Sequence, residues 1–194
     1  KFVAYFSAAN TARLWRGVLR VVVSHLRSAM GSSGMANTEA LALAEQCLPR
    51  LTAMGCSTVD SIASVSSSLI QGLWTGMGDI VEISVRGSNG AESSFVAKLI
   101  GPPKNPEDFG EKRDHASYNV EACFYEQGHA DRLCDAGALC PRPIFIERKP
   151  GGFVTICMTL LPGSTRSRVG QAQTCSGLSW LPKLHATHWG HARA

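Results

Sequence analysis

No aspartate or glutamate follows Glu147 in this 194-residue chain. Magnesium ligands are usually carboxylates, as are many general bases, so carboxylate chemistry is either placed before that point or not carried by these residues. Nor is there a run of about 20 apolar residues, the length a spanning helix needs. Arg16 and Arg20 interrupt the best stretch, LWRGVLRVVV. The seven cysteines contain no CxxC pair. Their odd number and wide spacing argue against a disulfide framework or zinc site, and for small buried hydrophobes in a reducing compartment. GxGxxG and GxxxxGK[ST] are missing too, which excludes the commonest dinucleotide and P-loop fingerprints. No RNP, zinc-finger or basic-helix pattern supports nucleic-acid binding.

The net charge of +4 is unevenly placed: Lys1, Arg13, Arg16, Arg20 and Arg27 lie in residues 1–38, which hold no acid. The basic balance therefore belongs to the first segment, not to a nucleic-acid face. The chain begins with Lys. Residues 1–34 read as a targeting segment, as a disordered arm, or as untranslated sequence ahead of an initiator at Met30 or Met35. Without such targeting the expected location is cytoplasmic. A hydrophobic content of 44% suffices for one sizeable core, hence one domain plus extensions.

MGSSGMANTEA (30–40) marks a boundary. Thr38 is expected to cap a helix through EALALAEQCL that Pro49 stops, giving a helical extension over 35–61. Residues 62–71, 80–86 and 93–100 read as three strands of a meander, with GLWTGMG between the first two and a tight turn at SNG (88–90). GPPKNPEDFGEKRD (101–114) reads as a loop ending in a cap at Asp114. In the following helix Ala116, Val120, Cys123 and Phe124 share one face and Glu121 sits at its border. Strands at 143–148 and 153–161 follow, so the order is three strands, a helix, two strands: an α+β domain over 62–161. After a polar connector (164–176), Leu178, Leu181, Leu184, His185 and His188 recur at helical spacing, with Pro182 restricting where that helix starts.

Three features carry chemistry. Gly72, Gly76 and Gly78 lie between two strands, where backbone N–H groups can approach phosphate oxygens; an ordinary glycine-rich hairpin reads the same way. Lys98 sits mid-strand among Phe95, Val96, Ala97, Leu99 and Ile100. A buried ammonium costs several kcal/mol unless paired, so this lysine needs a counter-charge or an anion, or belongs to an edge strand facing water. Glu121, 23 positions later, is such a counter-charge, although a lone helical glutamate is more often solvated. His185, His188 and His191 are spaced i, i+3, i+6, but no carboxylate or cysteine lies close by, and a helix end is the simpler account than a metal site. Trp180, Leu184 and Trp189 read as core.

GLWTGMGDI, FVAKLI, R-x-x-x-SY-x-VE-x-x-FY (113–125), CPRP, the strand ending LLPG, and L-x-x-LHA-x-x-WG (181–190) together resemble the choline-kinase-like and ecdysteroid-kinase-like members of the aminoglycoside phosphotransferase superfamily. The resemblance covers roughly residues 66–190. It implies a kinase-like N-lobe, with an antiparallel sheet of about five strands and one αC-type helix, then a hinge and the first helices of an incomplete C-lobe over 162–194. It implies ATP as the cofactor and phosphoryl transfer to a small-molecule hydroxyl. Lys98 would contact the α and β phosphates and Glu121 would orient it. Gly76 and Gly78 would close over the phosphates, with Gly72 opening that loop. Val81 and Ala97 would wall the adenine, and Met158 to Leu161, Leu160 included, would form the hinge. The family's His-Gly-Asp catalytic loop and later metal-binding Asp are not in this sequence. These residues therefore read as the nucleotide-binding half, inactive by itself, with the magnesium ligands elsewhere. Apolar surface under MTLLPG and LSWLPKL would then be open to association. A non-catalytic nucleotide- or partner-binding module and a protein-kinase or pseudokinase N-lobe are the alternatives.

Overall fold

The structure, a computed structural model, describes residues 35–162 and 170–188. The elements run α1 (Asn37–Ala53), β1 (Ile62–Gly72), a short 3-10 turn (Trp74–Gly76), β2 (Gly78–Gly87), β3 (Glu92–Ile100), α2 (Phe109–Glu126), α3 (His129–Asp135), β4 (Pro143–Lys149), β5 (Phe153–Thr159) and α4 (Gln171–His188). The described residues form two compact units, one of 35–134 with 140–161, the other of 135–139 with 162 and 170–188.

The larger unit is α+β. Its five strands make one antiparallel sheet in the order β1-β2-β3-β5-β4. The meander expected from the three early strands and the SNG turn is present, and β5 joins its inner side so that β3 becomes central.

Strand alternation divides the core into two layers. Odd-numbered positions of β2 and β3, including Val81, Ile83, Val85, Phe95 and Ala97, pack with Leu43, Ala44, Cys47 and Leu51 of α1. Val96 and Ile100 turn the other way, toward Tyr118, Ala122 and Tyr125 of α2, with Val154, Ile156 and Met158 of β5. Phe95 and Ile83 are fully buried, and burying each such side chain contributes about 1.5–3 kcal/mol.

Several boundaries differ from the sequence reading. Thr38 is not the cap of α1. Ala36 holds that position with no side-chain bond, and the helix runs through Pro49 to Ala53. Proline removes one helical hydrogen bond, but buried Leu51 holds the last turn against the sheet. The α2 cap is Asp108, whose carboxylate accepts from the Glu111 N–H at 2.8 Å, so the cap lies six residues before Asp114 and the helix begins at Phe109. Its buried face is Tyr118, Ala122 and Tyr125, whereas Val120 is 52% exposed. Two tyrosines carry this face, and counting Ala116, Val120, Cys123 and Phe124 while leaving the tyrosines out misplaced it. The helix α3 was not foreseen, and β5 stops at Thr159 rather than residue 161.

In the smaller unit α4 begins at Gln171, eleven residues before Pro182. Trp180 donates its indole N–H to the Leu139 carbonyl at 3.0 Å, and Lys183 donates to the Gly137 carbonyl at 2.6 Å. No described residue of α4 is buried, so Trp180 and Leu184 are not core. Their helical spacing reports a helix without saying what covers it. Residues 1–34, Trp189 and His191 lie outside the described residues.

Candidate functional site

Lys98 Nζ stands 2.5 Å from Glu121 Oε2. The lysine side chain is 10% exposed and the carboxylate 27%. The same ammonium lies 4.5 Å from the centroid of the Tyr118 ring, so a cation–π contact supplements the ion pair. The alternative of an edge lysine turned to water is excluded, because β3 is the third of five strands. Glu121 comes from the inward side of α2, between Tyr118 and Tyr125 at helical spacing. Burial pushes both phenols above their ordinary range, Tyr125 most strongly, and the Glu121 carboxylate adds to the effect.

The helix bearing Glu121 is fastened to the β4–β5 hairpin. Arg148 of β4 donates to both carboxylate oxygens of Glu126 at 2.9 and 3.0 Å and to the Asn119 amide oxygen at 2.7 Å. Nearer the helix start, a His115 ring nitrogen is 2.9 Å from the Gly152 carbonyl. These contacts hold one edge of α2 while Lys98 meets the other. Sequence reasoning missed Arg148 and His115, since the contacts that join α2 to the hairpin through them span 22 or more positions and nothing local marks them.

The glycine loop closes largely on itself. The Gly76 N–H donates to the Leu73 carbonyl, the Met77 N–H to the Trp74 carbonyl and the Leu73 N–H to the Gly78 carbonyl. Leu73 and Met77 are buried in the α2 layer while Trp74 is 60% exposed. The nearby Trp74 backbone offsets part of the upward shift of the Tyr118 phenol, and Leu73 and Met77 share a buried cluster with that ring. Gly72 ends β1 opposite Asp79. Gly78 is required by backbone packing: its φ is +150°, and an added Cβ would lie 1.9 Å from the Leu99 carbonyl oxygen. Gly76 has φ +67°.

Two expected site residues fall on the wrong side of the sheet. Val81 and Ala97 are buried beneath α1, opposite the face carrying Lys98. Side-chain direction alternates along a strand, so residue 97 cannot share a face with residue 98. The face-mates of Lys98 are Ile80, directly across on β2, Ile156, directly across on β5, and Val96 two positions away. Met158 does belong to this face, and its thioether accepts from the Tyr125 hydroxyl at 3.7 Å. Leu160 lies past the end of β5 and is 42% exposed.

Two shallow hollows, of about 270 Å³ over Ser64, Ser66, Ser84 and Ser94 and about 410 Å³ between α2 and β4, are lined by neither Lys98 nor Glu121. Among the described residues no group of three or more His, Cys, Asp or Glu is placed to hold a metal ion, and no helix is long and apolar enough to cross a membrane. His188 Nδ1 is 2.9 Å from the Leu184 carbonyl, and His185 is exposed. Of the cysteines, Cys47 and Cys157 are buried, but Cys56 and Cys175 are exposed, against the expectation of uniformly interior thiols. The Cys157 thiol is pushed up by a hydrogen bond with Cys47 and by burial, and Cys140 is pushed up to about 12 by burial.

Compared with protein-family models and with curated proteins, the sequence matches none.

Proposed function

We propose that the larger unit is the nucleotide-binding lobe of a kinase-like phosphotransferase, holding ATP whose γ-phosphate passes to a small-molecule hydroxyl. The supporting observation is the ion pair between central-strand Lys98 and helical Glu121. A lysine so placed presents a fixed ammonium, and phosphoryl-transfer sites work chiefly by positioning and neutralising phosphate oxygens. In this reading Lys98 binds the α and β phosphates, and Glu121 keeps the ammonium aimed rather than collapsed onto the sheet. Ile80, Val96 and Met158 replace Val81 and Ala97 as the apolar wall for the base. The loop 73–77 covers the phosphates from the β1–β2 end.

Binding, not turnover, is what these residues are assigned. A phosphoryl-transfer base and magnesium carboxylates are not identified among them, and no step is derived through a metal.

The test is thermal unfolding of the 194-residue chain with and without ATP. A concentration-dependent rise in Tm that Lys98→Met abolishes is expected. No rise in a folded, monodisperse sample overturns the reading. Phosphorylation of an alcohol by this chain at an enzyme-like rate overturns the assignment of binding alone.

A further inference from the structure

Lys104 lies in the loop between β3 and α2, six residues beyond Lys98. Its Nζ is so near Gly76 that a Cβ on that glycine would come within 2.9 Å of it. Among the described lysines, Lys98 pairs with Glu121, Lys112 with Glu107, Lys149 with Glu147, and Lys183 donates to the Gly137 carbonyl. Lys104 is the one described lysine with neither an ion pair nor a hydrogen bond to another described residue. Its side chain is exposed, so the ammonium beside the glycine turn is open to an anion from solvent.

Charge balance gives the position a meaning. Lys98 and Glu121 sum to zero, so the pair orients an anion without attracting one over distance. Lys104 adds a positive charge beside the glycine turn, whose Leu73 and Met77 share a buried cluster with Tyr118. We propose that Lys104 is a second cation of this anion site, a positioning residue that draws the polyphosphate group of a nucleotide under the loop. Gly76 leaves the space its ammonium occupies. This inference rests on the nucleotide-site reading above.

The test is titration calorimetry on the whole chain with ATP, inorganic tripolyphosphate and adenosine, each at several salt concentrations. Lys104 is exposed, so Lys104→Met should fold, which circular dichroism checks. Lys104→Met is expected to weaken ATP and tripolyphosphate about tenfold, the scale of one charge-assisted contact. Adenosine binding should not change, and the salt dependence of ATP binding should flatten. Lys104→Arg should retain most of the affinity. ATP binding by Lys104→Met with wild-type affinity and salt dependence, while Lys98→Met loses it, overturns the role of Lys104 and leaves the nucleotide site standing. Tripolyphosphate binding as tightly as ATP, and equally dependent on Lys104, supports the second cation but overturns a nucleotide as the source. Failure of the folded wild-type chain to bind either anion overturns both proposals.

Discussion

Ala97 and Lys98 are consecutive in β3 and face opposite sides of the sheet, the methyl fully buried beneath α1 and the ammonium against Glu121 beside α2. Substitutions one residue apart should therefore have separable effects. Ala97→Val overfills the α1 layer and should cost about 1–3 kcal/mol of stability, read as a lower denaturant midpoint, with ATP affinity of the folded fraction unchanged. Val96→Ala should weaken ATP binding several-fold. If Ala97→Val instead reduces affinity and Val96→Ala does not, the wall has been placed on the wrong face.

The ion pair should respond asymmetrically to removal of its partners. Glu121→Ala leaves the ammonium, 10% exposed, without a counter-charge and should destabilise by about 2–3 kcal/mol, somewhat below the range for fully buried pairs. Lys98→Met puts an apolar side chain of similar length into apolar surroundings and leaves behind a carboxylate that water can reach. It should change stability by less than about 1 kcal/mol. Urea unfolding of the two variants decides this, and equal losses would count against the burial difference as the cause.

Gly78 and Gly90 both have positive φ, yet a Cβ at Gly78 meets the Leu99 carbonyl oxygen at 1.9 Å whereas one at Gly90 meets nothing within 4 Å. Gly90→Ala should cost only about 1–2 kcal/mol of backbone strain. Gly78→Ala has to push β2 and β3 apart and should exceed about 3 kcal/mol or prevent folding. Comparable melting temperatures for the two variants would show that the β2–β3 contact yields more easily than its geometry implies.

Alkaline pH should weaken the fold through the two tyrosines of α2. Both phenols are held above their ordinary range in the folded chain, mainly by burial. Above about pH 10 the unfolded chain therefore loses phenol protons that the folded chain keeps, and stability falls as pH rises. Tyr125→Phe forfeits only a weak hydroxyl contact to the Met158 sulfur at 3.7 Å, so it should change little at neutral pH and make the alkaline fall shallower. Denaturant titrations at about pH 7 and about pH 10.5 check this, and an unaltered alkaline slope would remove Tyr125 as a contributor.

Much of the strand plan was legible because its punctuation is local: SNG for the β2–β3 turn, the glycine-rich GLWTGMG between β1 and β2, and apolar runs between such breaks. Lys98 and Glu121 were legible because a lysine inside an apolar strand needs a partner and the next helix offers one. Less local features could not be read. The face of α2 is set by Tyr118 and Tyr125, which count as amphipathic until burial decides. The side of the sheet on which Val81 and Ala97 fall depends on strict two-residue alternation, and the resemblance carried them past it by one position. Arg148, His115 and Lys104 act across chain separations or through space that no short pattern encodes.

Arg148 and His115 give the bolting of α2 to the β4–β5 hairpin a functional consequence. A helix held to the hairpin at His115 and again at Glu126 resists swinging outward and carrying its carboxylate away. The salt link is formed without a ligand, so in the nucleotide-site reading an incoming anion spends little of its binding energy on organising the receptor. In that reading, rocking of the helix is resisted by these contacts to the hairpin.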